Sequence, residues 1–134
     1  MQARDPESVV HALDEALNAG DVDRARALFA DQATVNLVPP PAEGPAVYTG
    51  AEQIRGWLEQ LVAGHFHVES SGYHTAQDKV TWRSAVSHDD WRALGVNPAE
   101  VSSVASVEGG RITAFTVTFS PETVKRFEAA GAGR

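Results

Sequence analysis

Residues 9–35, VVHALDEALNAGDVDRARALFADQATV, leave this chain little choice of local structure. Val9, Val10, Leu13, Ala16 and Leu17 recur at the three- and four-residue spacing of one helical face. Asp5-Pro6 ahead of them is a helix start, a carboxylate cap followed by proline at the first helical position. Gly20 should end the helix, because glycine accepts the left-handed cap conformation. Asp21 then caps a second helix in which Val22, Ala25, Leu28 and Phe29 point inward. From Ala33 to Val38 the pattern is that of a strand, with Val35 and Leu37 on one face.

The span Val38–Val47 holds four prolines and a glycine, so it is read as a stiff loop and a candidate lid. Thr49-Gly50-Ala51-Glu52 has the form of a capping box for a third helix, with Ile54, Trp57, Leu58, Leu61 and Val62 as its buried stripe. From His65 the period changes to two. Strands are expected from there to about Thr75 and from Val80 to Ser87, joined by a turn at Gln77-Asp78. Asp89-Asp90 should cap a short helical turn. Two more strands, Glu100–Val107 and Arg111–Phe119, flank Glu108-Gly109-Gly110, and Ser120-Pro121 starts a last helix. Residues 131–134 are expected to be loose. Helices come first and strands cluster after them, which is an α+β arrangement of one domain with its core over about 6–130.

Several function classes are excluded before any motif is weighed. The chain has no cysteine, which rules out disulfides and thiolate chemistry. Its net charge of −7 disfavours a phosphate backbone, so no nucleic-acid partner is expected. No apolar run approaches the roughly 18 residues of a membrane span, and none follows a basic segment near the start as a signal peptide would. The expected location is cytoplasmic, with no membrane partner.

The segments Ala16-Leu17-Asn18-Ala19-Gly20-Asp21, Ala27-Leu28-Phe29-Ala30-Asp31 and Ala33-Thr34-Val35 resemble the nuclear transport factor two-like, or SnoaL-like, superfamily. Thr49-Gly50 and Glu108-Gly109-Gly110-Arg111-Ile112 add to the likeness, which covers roughly residues 9–119. The superfamily includes ketosteroid isomerases, limonene epoxide hydrolases and polyketide cyclases. The resemblance implies a cone-shaped, mostly antiparallel curved sheet wrapped on N-terminal helices, with an apolar pocket in its mouth. It also implies a homodimer through the outer sheet face.

The catalytic sets of two of these relatives do not carry over. Where a ketosteroid isomerase has its oxyanion-hole tyrosine, its general-base aspartate and its protonated aspartate, this chain has Leu13, Leu37 and Ser102. At the positions of the epoxide hydrolase's arginine and two aspartates stand Arg83, Ala85 and Val117. Without a carboxylate to take a proton from water, that mechanism fails too.

Strand parity decides what faces the pocket. Hydrophobicity alone would turn Val80, Trp82 and Val86 inward. The resemblance instead turns Thr81, Arg83 and Ala85 inward and leaves Trp82 and Val86 to a dimer interface, and a one-residue slip would exchange the two sets. On the resemblance, the hairpin turn carries His74 to the same face as Phe66 and Val68, and the last two strands contribute Ser102, Val104 and Ser106, and Phe115, Val117 and Phe119. The expected pocket is therefore Leu13, Leu17, Leu37, Trp57, Phe66, Val68, Val104, Phe115 and Val117, with His74, Thr81, Arg83 and Ser102 as its polar groups. That is the usual form of a site for a small hydrophobic molecule.

In a catalytic reading Arg83 would polarise an oxygen, His74 would move a proton and Ser102 would donate a hydrogen bond, in a cofactor-free isomerisation, cyclisation or hydration. In the other reading the same cavity only binds its ligand. His65-x-His67 has a metal spacing but no third ligand in reach, so no metal is expected. Asp14, Glu15, Asp21, Asp23 and Arg24 are read as solvated helix faces.

Overall fold

The computed structural model describes residues 5–39 and 46–130. Helix α1 (Pro6–Ala19) starts on Asp5, whose carboxylate accepts from the Ser8 N–H at 2.9 Å, and ends on Gly20 in the left-handed conformation. Helix α2 (Val22–Ala27) follows, capped by Asp21. Then come β1 (Phe29–Val38), β2 (Val47–Thr49), α3 (Ala51–Ala63), β3 (His67–Ala76), β4 (Lys79–Ser87), α4 (Asp89–Ala93), β5 (Ala99–Glu108), β6 (Arg111–Phe119) and α5 (Pro121–Ala129).

The strands form one open, curved α+β sheet in the order β2-β1-β6-β5-β4-β3. Strands β1 and β6 run parallel and every other pair is antiparallel. Helices α1 and α3 lie on the inner face, where Val9, Val10, Leu13, Ile54 and Leu58 pack with Phe29, Val35, Val80 and Ile112. Burying these side chains supplies the main driving force for the fold.

Four local readings are corrected. Leu28 and Phe29 do not extend α2: the Leu28 carbonyl accepts from Ile112 N–H at 2.8 Å, and Phe29 pairs with Ile112, so β6 claims this backbone and β1 begins early. A short β2 pairs with β1 where only a lead into α3 was expected. Helix α3 is not capped by a Thr–Glu box. Its N-cap is Gly50, and Gln53 reaches back to accept from Thr49 N–H at 2.9 Å. Helix α4 is capped by His88, which accepts from Asp90 N–H at 3.1 Å, while Asp89 and Asp90 fill its first turn. The proline-rich stretch at 40–45 and the tail at 131–134 lie outside the described residues.

Two irregularities decide which side chains face inward. In the β3–β4 hairpin, His74 pairs with Thr81 but Ser71 pairs with Arg83, so Gly72 and Tyr73 together oppose Trp82. Gly72 has φ +69, the left-handed region that glycine occupies without strain. In the β5–β6 hairpin, Val107 pairs with Ile112 but Ser106 pairs with Ala114, which leaves Thr113 as the extra residue.

Candidate functional site

Between the inner sheet face and helices α1 and α3 lies an apolar cavity of about 100 Å³. Leu13 and Leu17 of α1, Trp57 and Leu61 of α3, and Leu37 of β1 form one side. The sheet contributes Phe66, Val68, Trp82, Val86, Val101, Phe115 and Val117. Aromatic rings run along it: Trp82 stacks on Phe115 at 5.8 Å and on Tyr73 at 6.1 Å, and Phe115 meets Trp57 at 6.2 Å. At the other end Trp91 of α4 closes against Phe66, Phe119 and the α5 residue Phe127. The volume is below the ~300–1,000 Å³ of drug-sized ligand sites and nearer the ~150 Å³ that accepts benzene.

Among the described residues, only Asp14, Ser84 and Ser103 bring non-aromatic polar side chains to this wall, and Asp14 is the one carboxylate among them. Asp14 sits beside Leu13 on α1, half-buried against the edge strand β3. Tyr73 O–H donates to its Oδ2 at 3.1 Å. Burial raises the Asp14 pKa, and the hydroxyls of Ser70 and Tyr73 with the nearby His11 pull it partly back. The Tyr73 phenol is itself pushed up to about 12, first by burial and then by the Asp14 charge. His11 lies against the Tyr73 ring at 4.3 Å and meets Glu7 at 3.3 Å.

The α1 helix is tied to the β3 edge by Asn18. Its amide donates to Val68 C=O at 2.9 Å and accepts from Val68 N–H at 2.8 Å, completing the edge as a further strand would. His11, Asp14 and Asn18 thus form one polar line facing β3. The reading of Asp14 as a solvated helix face is corrected. A signal was present: residues 11, 14 and 18 repeat at helical spacing along the flank of the apolar stripe.

The polar residues expected in the pocket lie elsewhere. Thr81, Arg83, Ser102 and Val104 are exposed on the outer sheet face, with Val104 at 40%. Arg83 pairs with Ser71 and Ser102 and lines an open polar groove with Glu69 and Glu100. His74 lies opposite Thr81, exposed, because the bulge at Gly72 reverses parity between Ser70 and His74. The inward residues of the central strands are instead Trp82, Ser84 and Val86, and Val101, Ser103 and Ala105. Leu13, Leu17, Leu37, Trp57, Phe66, Val68, Phe115 and Val117 do line the cavity.

His65 and His67, which have a metal spacing in the sequence, each meet a carboxylate instead. His65 Nδ1 lies 2.6 Å from an Asp89 oxygen, and His67 Nε2 lies 3.3 Å from Glu69. Among the described residues no three potential ligands converge on a metal position. No described helix is long and apolar enough to cross a membrane.

The family model for the SnoaL-like domain matches residues 10–115. No curated protein sequence matches the chain. Among solved structures, the chain is similar to a nuclear transport factor two-like protein of unknown function from Cytophaga hutchinsonii, with TM-score 0.72 and 17% identity over 93% of this chain and 97% of that one. It is also similar to a putative polyketide cyclase from Sinorhizobium meliloti, with TM-score 0.67 and 21% identity over 82% and 93%. SalBIII, an epoxide hydrolase/cyclase-like enzyme of pyran ring formation in the polyether salinomycin, aligns with TM-score 0.70 and 22% identity over 88% and 92%. At these identities the likeness establishes the fold.

Proposed function

The chain belongs to the SnoaL-like domain family, and we propose that it binds a small, mostly apolar molecule in the cone and moves a proton on it with Asp14. The observation that carries this reading is one carboxyl, its pKa raised by burial, on the wall of an otherwise apolar aromatic cavity. A desolvated carboxyl holds its proton more tightly than one in water, which brings it closer to the range useful for general acid–base work. As carboxylate it takes a proton from the ligand, and as acid it returns one. The Tyr73 hydroxyl holds it in place. Isomerisation, cyclisation and hydration all need such a group, and the polyketide cyclase and pyran-forming relatives are named for chemistry of this kind.

Support for a homodimer comes from the outer sheet face. There Val104 stands exposed among Thr81, Ser102, Thr116 and Thr118, a patch of short side chains bordered by Arg83 that a second sheet could approach. A purely ligand-binding role is the second reading, favoured by the scarcity of polar groups on the wall.

Native mass spectrometry of the purified protein, with a thermal-shift screen of small lipophilic metabolites, tests the cavity. Turnover of any ligand found is then compared in Asp14→Asn, with Arg83→Ala as control. Turnover falling at least a hundredfold in Asp14→Asn, with binding and Arg83→Ala unaffected, is the expected result. Equal turnover in Asp14→Asn removes Asp14 from the mechanism. If no small apolar molecule is retained or shifts the midpoint, the cavity is not a site.

A further inference from the structure

Ser103 is an anomaly on the cavity floor. It is 3% exposed, on the central strand β5, between Trp82 of β4 and Val117 of β6. A buried hydroxyl normally finds a partner, since leaving it unpaired sacrifices its hydration. Its neighbour Ser84 does so, meeting the Ser70 hydroxyl at 2.7 Å. The Ser103 hydroxyl bonds to no other described residue. It is not sealed off either, because among the described residues no fully enclosed polar side-chain atom lacks a partner. Its oxygen therefore opens into the cavity that it lines.

We infer that Ser103 is the ligand-orienting residue of this cavity, hydrogen-bonding the single polar group of a small, neutral, oxygen-bearing molecule such as an alcohol, phenol or ketone. This rests on the cavity being a ligand site. A hydroxyl both donates and accepts, so it serves either an alcohol or a carbonyl. Anionic ligands are disfavoured: among the described residues no lysine or arginine lines the wall, and Asp14 is on it. Volume limits the ligand to about one small ring. With the oxygen held on β5, the body of the ring fills the space between the aromatic wall and α1, where Asp14 waits. Ser103 binds and orients, and Asp14 does the chemistry.

Phenol and toluene, which differ by hydroxyl against methyl at nearly constant shape, are suitable probes. Their dissociation constants are measured by titration calorimetry on the full chain at neutral pH, together with those of benzylammonium and benzoate. Removing the Ser103 hydroxyl should lower the preference for phenol over toluene about fivefold to tenfold relative to the unmodified protein, the worth of one net hydrogen bond, while the greater apolarity of toluene cancels in the comparison. In Ser103→Ala the loss should fall on phenol alone, with toluene affinity kept. In Ser84→Ala, whose hydroxyl already has a partner, the ratio should persist. The substitution at 103 removes an unpaired hydroxyl and keeps the volume nearly constant, so it leaves the fold intact.

The same ratio of phenol to toluene affinity in Ser103→Ala as in the unmodified protein overturns the inference and leaves the cavity reading standing. Loss of the ratio in Ser84→Ala but not in Ser103→Ala overturns it as well. Benzylammonium binding more tightly than phenol would transfer recognition to Asp14 and a cation. If neither phenol nor toluene binds, both the inference and the cavity reading fall.

Discussion

Replacing Asn18 by alanine should loosen the helix that carries Asp14, and the structure sets the size of the effect. The Asn18 amide makes two bonds to the same Val68 peptide groups, at 2.9 and 2.8 Å. A net hydrogen bond contributes about 1 kcal/mol, so the pair contributes about 2 kcal/mol. Alanine recovers roughly half a kcal/mol of helix propensity, because Asn18 lies in the last turn of α1. Val68 is on an edge strand, so water can partly replace the lost partner. The expected net loss is about 1–2 kcal/mol, or roughly 4–8 °C in the thermal midpoint for a chain of this size. Calorimetry measures the midpoint, and amide exchange gives a local reading, since the Val68 N–H should exchange faster while the central β5 amides keep their protection. A midpoint within about 1 °C of the parent, with Val68 protection unchanged, would show that the amide does not hold α1 to the sheet.

Two further outcomes follow from the same geometry. The Asp14 pKa is raised in the fold, so between the unfolded carboxyl value near ~3.9 and the raised value the native state binds the extra proton, and stability falls as pH rises through that window. Asparagine keeps the acceptor for Tyr73 without the charge. The stability advantage of Asp14→Asn over the parent should therefore be absent in strong acid and open as pH rises, whereas a pH-independent difference in urea titrations would contradict the burial account. Gly64 is buried against His88, and a Cβ added there would run into the His88 imidazole, whose ring lies 5.3 Å from Trp91. Gly64→Ala should cost about 1–3 kcal/mol and shift tryptophan emission to the red as Trp91 is displaced, and an unchanged spectrum and midpoint would refute that link.

The helical half of the fold was legible because its signals are local. Asp5-Pro6, Gly20 and Asp21 act within four residues of themselves, and the stripe Val9, Val10, Leu13, Ala16, Leu17 is buried throughout. Asp14 was missed because a carboxylate beside an apolar stripe looks like a solvated flank until the partner across from it is known. That partner is Tyr73, 59 residues further on. No local pattern reports which strand will lie alongside a helix flank.

The errors on the sheet have one physical origin. Without irregularities, pairing Ala76 with Lys79 at the first turn would set Val68 beside Ser87 and put Arg83 on the inner face with Val68. Likewise, pairing Glu108 with Arg111 would set Phe115 beside Val104 and put Val104 inward. Each hairpin contains one extra residue, so Val68 meets Val86 and Phe115 meets Ala105. The two bulges enclose β4 and β5, which pair with each other in uninterrupted register, so both central strands turn over together. Phe66, Val68, Phe115 and Val117 therefore face inward, while Thr81, Arg83, Ser102 and Val104, which the resemblance turned inward, lie on the outer face. Gly72, a glycine inside a strand pattern, was a visible warning of the first bulge. Thr113 gave none for the second. The alternation of Val80, Trp82 and Val86 already carried the correct parity, and the buried surface of a tryptophan outweighs a single arginine position carried over from a relative. Consequently Arg83 and Ser102 leave the cavity wall, and among the described residues the polar side chains that take their place are those of Asp14, Ser84 and Ser103.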